Sequence, residues 1–372
     1  MKKKFFTRII LVALWAVCTE ANGQGCVAVR SNGNSSCAIG VGHTENSKGW
    51  TLNENTRYFR SYKHFVGAEE QKERVENGTE VINHSMSLDF TLTRQLNKYW
   101  SIAVNLPIIS NVRSSMYEHY GNNSTHPMAR NSTRTFGLGD IRFTAYRWLL
   151  DPAKHHKGNI QLGLGLKLPT GDYRYQDYFH KPGAGGRDST VLGPVDQSIQ
   201  LGDGGTGISV EINAYRNIGH QWGLYGNFYY LINPREQNGV STSRGGTTTA
   251  VAMQYFTSTM SVPDQFMARA GASFMKGKFS FAAGARIEGI PSSDLIGGDK
   301  GFRRPGFIIS AEPVVSYMTK KWNIYFSVPV ALERNRTKSY SDKIRSSATG
   351  TDVHGDAAFA DYLINAGFSI RL

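Results

Sequence analysis

Long apolar runs are the most visible absence in this 372-residue chain. Past the N-terminus nothing approaches the roughly 20 consecutive apolar residues a membrane helix needs, and mean hydropathy is negative, which argues against a helical membrane protein. Cysteine is scarce as well. There are three, Cys18, Cys26 and Cys37, a pattern that argues against a cysteine-based metal or catalytic centre. Acidic residues are outnumbered 29 to 42, for a net charge of +13. No basic stripe with interleaved aromatics lies on one element, so nucleic acid is not the expected partner. The excess reads as solvated basic loops, or as attraction to an anionic lipid surface or anionic solutes.

What is present at the N-terminus is an export signal. Lys2, Lys3, Lys4 and Arg8 precede an apolar run over 9–17, and Ala21 and Gly23 suit a cut before Gln24. Residues 1–23 are therefore expected to be a cleaved signal peptide. Neither Cys18 nor Cys26 follows a good lipobox, which argues against a lipid anchor. Cys18 leaves with the signal, and an oxidising compartment favours a Cys26–Cys37 disulfide in an N-terminal periplasmic segment, 24–48.

The rest of the chain has period two. Ile160, Leu162, Leu164, Leu166 and Leu168 alternate with Gln161, Gly163, Gly165 and Lys167. Side chains on a strand alternate faces, so one face is aliphatic and the other small or polar. Leu164 is expected to face lipid and Gly165 a watery lumen where a hydroxyl is tolerated. About twelve such strands can be read, the first near 49–62 and the last ending at Leu372. The links between them alternate in length. Short ones fall at 94–98, 151–157, 216–221, 275–278 and 318–321. Long ones fall at about 63–79, 118–134, 178–204, 235–261, 291–304 and 336–356. This predicts an all-β fold over 49–372: a single transmembrane antiparallel up-and-down β-barrel, with short periplasmic turns, long extracellular loops and an outer-membrane location. Tyr99, Trp100, Trp148, Trp222, Phe279 and Trp322 lie beside the short turns and read as an interfacial girdle. Pro107 and Pro329 fall inside strands, toward their outer ends, where ladders loosen or bulge.

Phe136-Gly137-Leu138-Gly139-Asp140-Ile141, Leu168-Pro169-Thr170-Gly171-Asp172 and Gln200-Leu201-Gly202-Asp203-Gly204-Gly205-Thr206-Gly207 follow in order. Over about 135–215 this pattern resembles the outer-membrane proteins grouped as the "MetA pathway of phenol degradation" family. The resemblance implies passage of aromatic or other small apolar compounds across the outer membrane. The Gly-Asp motifs themselves read as strand ends and loop bends.

Strand parity places Asp89, Asp140, Glu211, Glu288, Glu312, Glu333 and Asp361 toward the lumen, with Arg142, Lys167, Arg269, Arg286 and Arg371. Two readings follow: a buried network that pairs its charges, or a polar constriction that selects solutes. The constriction candidates are Arg142, Lys167, Arg269, Arg286, Glu288 and Glu312. Tyr225, Tyr229 and Tyr325 also point inward, to stack on an aromatic solute or to fill space. Twelve strands lie between the side-chain-filled eight and the aqueous 16.

Enzyme chemistry has little support. His84, His119, His126, His180 and His354 lie in or near the outer loops without an obvious dyad, His84 and Asp89 being on opposite faces. Asp196, Asp203, Asp294 and Asp299 have no recognised calcium spacing. No catalytic residue, metal or cofactor is expected. The expected partners are outer-membrane lipid, lipopolysaccharide and a small solute. A non-conducting barrel acting in binding, adhesion or envelope assembly is the alternative, and an outer-membrane hydrolase a more distant one.

Overall fold

A computed structural model describes residues 24–25, 49–117 and 129–372. The leader, Cys26, Cys37, His119 and His126 lie outside the described residues. Twelve antiparallel wall strands follow in chain order. They are β1 (Gly49–Val66), β2 (Ile82–Gln95), β3 (Trp100–Met116), β4 (Arg130–Leu138 and Arg142–Trp148), β5 (Gly158–Lys167) and β6 (Gly207–Asn217). Then come β7 (Trp222–Ile232), β8 (Gln265–Lys276), β9 (Phe279–Ile290), β10 (Gly306–Met318), β11 (Trp322–Ser327 and Val330–Asn335) and β12 (Ala357–Arg371). Each pairs with its sequence neighbour, and β1 also pairs with β12 from Thr51↔Arg371 to Phe65↔Ala357, so the sheet closes and has no free edge. Gln24 and Gly25 pair with Ala360 and Phe359 of β12, near its long-loop end.

The alternation read from the sequence is the alternation of exposure. Leu164 is 63% exposed, with Ile102, Val104, Phe143, Leu162 and Phe281 also on the outer surface, whereas Gln161, Lys167, Arg269 and Arg286 are buried. An exposed aliphatic belt around a closed wall is the arrangement lipid requires. Trp50, Trp100, Trp222, Phe279 and Trp322 stand exposed beside the short turns, with Arg94 over Trp50 and Arg147 over Trp100. Trp148 departs from the expected girdle. It is buried, inward by the parity of Arg142, Thr144 and Tyr146, and packs edge-on against Tyr215. Proximity to a turn suggested the girdle, but parity decides the side.

Both broken strands lie opposite a proline. In an antiparallel pair a residue's N–H and C=O point to the same neighbour. Gly139 N donates to Pro107 O at 2.8 Å, so the N–H that Pro107 lacks would face β4, and β4 is interrupted there, between Leu138 and Arg142. Val328 N likewise donates to Pro313 O, and β11 is interrupted at Val328-Pro329. Beyond that gap a register shift between Ile309 and Ser310 reverses the parity of β11. Glu333, expected in the lumen, is exposed, and Arg334 is buried instead.

The inward glycines are not open to water either. A Cβ on Gly165 would lie 2.3 Å from Ser209 Oγ, and one on Gly163 would lie 2.7 Å from the Tyr146 ring. Gly271 and Gly284 make the same room for Tyr225, and Gly367 for Tyr325. The small face seen in the sequence is thus a set of shelves on which inward tyrosines lie. A serine at 165 would need its neighbours to move.

Long loops cover the other end. They carry two small hairpins, Gln176–Pro182 with Asp188–Pro194 and Gln237–Ser241 with Thr259–Ser261. A helix, Tyr340–Thr349, is capped by Ser339 and Asp342 in a reciprocal box and ended by Gly350 in the left-handed region.

Candidate functional site

Parity aims the wall's ionisable side chains at one another. On β9, Arg286 and Glu288 are both 1% exposed, and Arg286 Nη2 donates to Glu288 Oε2 at 2.9 Å. Arg286 also meets Glu312 of β10 at 3.5 Å, and Arg269 of β8 meets the same carboxylate at 3.5 Å. Arg57 of β1 reaches across the lumen to Glu288 at 3.4 Å. The chain of contacts continues through amides. Arg269 Nε donates to Asn227, Asn227 to Asn213, and Asn213 to Gln161. On the facing wall Arg142 donates to Asn105 at 2.8 Å and to the Tyr229 hydroxyl at 3.2 Å, while Tyr146 donates to Glu211 at 2.9 Å. Tyr325 donates to Asn55, and Tyr225 packs over its glycine shelf. Buried charges are tolerated only when paired and hydrogen-bonded. This plug crosses the middle of the barrel.

A second cluster lies above it, on the long-loop side. The loop between β5 and β6 turns inward through a single 3₁₀ turn, Gln197–Ile199. Its Ile199 side chain is buried, and the Ile199 carbonyl accepts from Asn111 Nδ2 at 3.1 Å and Thr135 Oγ1 at 2.7 Å. Just before it, Asp196 takes a forked pair of bonds from Arg304 at 2.8 and 2.9 Å. It also meets Arg244 at 3.2 Å and Arg113 at 3.6 Å. Those arginines come from the β9–β10 loop, the β7–β8 loop and β3. Burial pushes the Asp196 carboxyl up, but the guanidiniums of Arg113, Arg304 and Arg244 outweigh it and hold the acid well below its usual range. One carboxylate therefore ties two other loops and a wall strand to the inserted segment.

The three Gly-Asp motifs converge beside this latch. Asp140 accepts from Gly171 N at 3.0 Å and Asp203 N at 3.2 Å, and Thr170 Oγ1 donates to Gly139 O at 2.9 Å. Lys167 pairs with Asp203 and lies 3.6 Å from Asp140. A Cβ on Gly202 would sit 2.5 Å from Asp140 Oδ1, and one on Gly171 would sit 2.7 Å from Leu201 O, so both backbones approach as only glycine allows. Strand ends 30 and more residues apart in the chain are one knot at the break in β4.

Between plug and latch is a cavity of about 130 Å³. Phe59, Ile109, Leu231 and Met260 line its apolar side, and Arg57, Arg142, Lys167 and Arg304 its charged side. Of the candidates drawn from the sequence, Arg142 and Lys167 reach this cavity. Arg269, Arg286, Glu288 and Glu312 form the plug, with Tyr225 and Tyr325 packed on their shelves. Arg57, Arg304 and the latch role of Asp196 were missed. Arg57 carried a signal, since Asn53, Asn55 and Arg57 share one parity in β1. Arg304 carried none, being a loop residue 108 positions from its partner.

Asp294 and Asp299, the other two aspartates weighed for calcium, share a cationic partner. Asp294 takes two bonds from Arg303 at 2.8 Å, and Asp299 lies 3.7 Å from Arg303. His84 Nδ1 meets the Tyr58 hydroxyl, and His180 pairs with Asp188. No cluster of three His, Cys, Asp or Glu suited to a metal ion occurs among the described residues.

Comparison with protein-family models and with curated proteins finds no match. Among solved structures the chain is similar to an outer membrane channel from Pseudomonas putida F1, with a TM-score of 0.55 at 12% identity, covering 88% of this chain and 96% of that one. At that identity the likeness is one of fold. Less similar are the translocator domain of the autotransporter NalP from Neisseria meningitidis and the P. putida toluene transporter TodX. The first has a TM-score of 0.45 at 12% identity, over 90% of this chain and 92% of that one. The second has 0.43 at 10%, over 95% and 99%.

Proposed function

We propose that this protein is an outer-membrane channel for small apolar or aromatic solutes, closed at rest by the plug below and the latched loop above. The observation that carries this reading is the cavity between those two barriers. Its volume, about 130 Å³, is close to the roughly 150 Å³ of an engineered apolar cavity that takes up benzene. The aliphatic belt, the aromatic girdle, the fold shared with an outer membrane channel and the resemblance over 135–215 support it. A cleaved leader over 1–23 and a Cys26–Cys37 bridge belong to the same reading. In it Arg286 and Glu288, then Glu312 and Arg142, form the constriction.

The filled mid-lumen favours a second reading, a non-conducting barrel that acts by binding. Conductance of the purified barrel in planar bilayers, with uptake of small aromatics by a deletion strain, separates the two. Solute-dependent conductance and slowed uptake are expected. An electrically silent barrel and normal uptake would leave the binding reading in place.

A further inference from the structure

We infer that the cavity is selective for a small organic anion: one carboxylate on an apolar body the size of a single ring. The inference rests on the channel reading above and names its solute class.

Charge is the first ground. Four cations line the cavity, Arg57, Arg142, Lys167 and Arg304, against two carboxylates, Asp140 and Asp203. Both carboxylates are occupied, Asp140 by the N–H groups of Gly171 and Asp203, and Asp203 by Lys167. Glu288 and Asp196 stand behind Arg57 and Arg304, and Asp89 and Glu211 lie near Arg142, Asp89 near Arg57 as well; Glu288 also serves Arg286, and Asp196 also serves Arg113 and Arg244. The lining itself, four cations to two carboxylates, is positive toward its contents. A neutral hydrocarbon gains nothing from that field, whereas a desolvated carboxylate requires it.

Geometry is the second. Arg57 meets Glu288 at 3.4 Å, well beyond the roughly 2.7–2.9 Å of a charge-assisted bond, while Arg286 holds Glu288 at 2.9 Å. Turning the Arg57 guanidinium toward an incoming carboxylate leaves Glu288 paired. The planar fork of arginine then offers the carboxylate two parallel donors. Phe59, on the same strand, lines the cavity with Ile109, Leu231 and Met260, which would receive the ring. The volume suits a single ring.

Isothermal titration of the purified full-length barrel in detergent with benzoate, its neutral counterpart benzyl alcohol, and acetate tests this. Benzoate should bind at least tenfold more tightly than either. Arg57→Gln, judged folded by heat-modifiable gel mobility, should lose at least tenfold in benzoate affinity, so that discrimination over benzyl alcohol collapses, and Arg57→Lys should recover part of it. Benzyl alcohol binding as tightly as benzoate overturns the inference without any variant. So does a folded Arg57→Gln protein with unchanged benzoate affinity. Toluene flux through reconstituted vesicles without a benzoate preference would overturn the anion assignment and leave the channel reading standing. Absence of binding and flux for benzoate, benzyl alcohol and toluene alike would overturn both.

Discussion

The cluster around Arg286 and the cluster around Asp196 both bury ion pairs in the same lumen, yet they are assembled differently. Around Arg286 every member stands on a wall strand: Arg57 on β1, Arg269 on β8, Glu288 on β9 and Glu312 on β10. Around Asp196 the carboxylate and two of its three guanidiniums come from loops. The wall cluster is held by a continuous hydrogen-bond ladder and is inseparable from the barrel. The loop cluster holds a segment that has no ladder beneath it, and such segments occupy the low-stability end of a structure. Similar chemistry thus braces the wall in one place and holds a loop over the lumen in the other.

The largest effect should come from opening the wall cluster. Arg286→Ala leaves Glu288 and Glu312 without their shared partner, and removing one member of a buried pair costs about 3–5 kcal/mol. Urea unfolding in detergent should show a clearly lower midpoint. A midpoint like the parent's would mean that the wall cluster is no more structural than the loop cluster.

Asp196→Asn should separate the two functions. Charged hydrogen bonds contribute about 1.5–3 kcal/mol each, which corresponds to about tenfold per 1.4 kcal/mol in the population of the released loop. Limited trypsin digestion should cut the β5–β6 loop at least tenfold faster, and conductance should rise, with the unfolding midpoint of the barrel little changed. A coincident loss of barrel stability would break the distinction.

Acid should act on the same latch more mildly. The Asp196 acidity is depressed in the folded protein, so its contribution is fully present above the unfolded value of about 3.9. It declines as pH falls below that value toward the folded one. Conductance should rise on acidification below about 4, and Asp196→Asn should remove that rise. The smallest effect is expected at the short-turn end, where an exposed Lys98 pairs with Asp151 at 2.7 Å. Lys98→Ala should leave the unfolding midpoint unchanged, since the lysine stands in solvent, where an ion pair contributes little, and Asp151 keeps its bond from Ala153 N. A drop like that of Arg286→Ala would invalidate the ranking.

Legibility follows the same division. Arg286, Glu288, Arg269 and Glu312 could be assigned a side because each sits in an unbroken period-two run. Glu333 could not, because the extra residue beyond the break in β11 reverses parity, and that break is induced by Pro313 on a neighbouring strand as well as by Pro329. Trp148 shares the parity of Arg142, Thr144 and Tyr146, and that alternation, not its closeness to a turn, sets its side. The Gly-Asp motifs were visible as bends, but their convergence was not, since nothing in Asp140 announces the backbone of Asp203 as its partner.

Period two and the alternation of short and long links determined the barrel by themselves. Each wall residue has two choices of side, and lipid accepts only apolar ones on the outside. Which cation meets which carboxylate, and whether the lumen is filled, were decided only in the closed structure. Closure brings β1 and β9 across from each other, and folds Asp196 beneath Arg304 from 108 residues away. Pairing over such distances depends on where the loops dock, and the partners that hold them stand on the closed wall and on other loops.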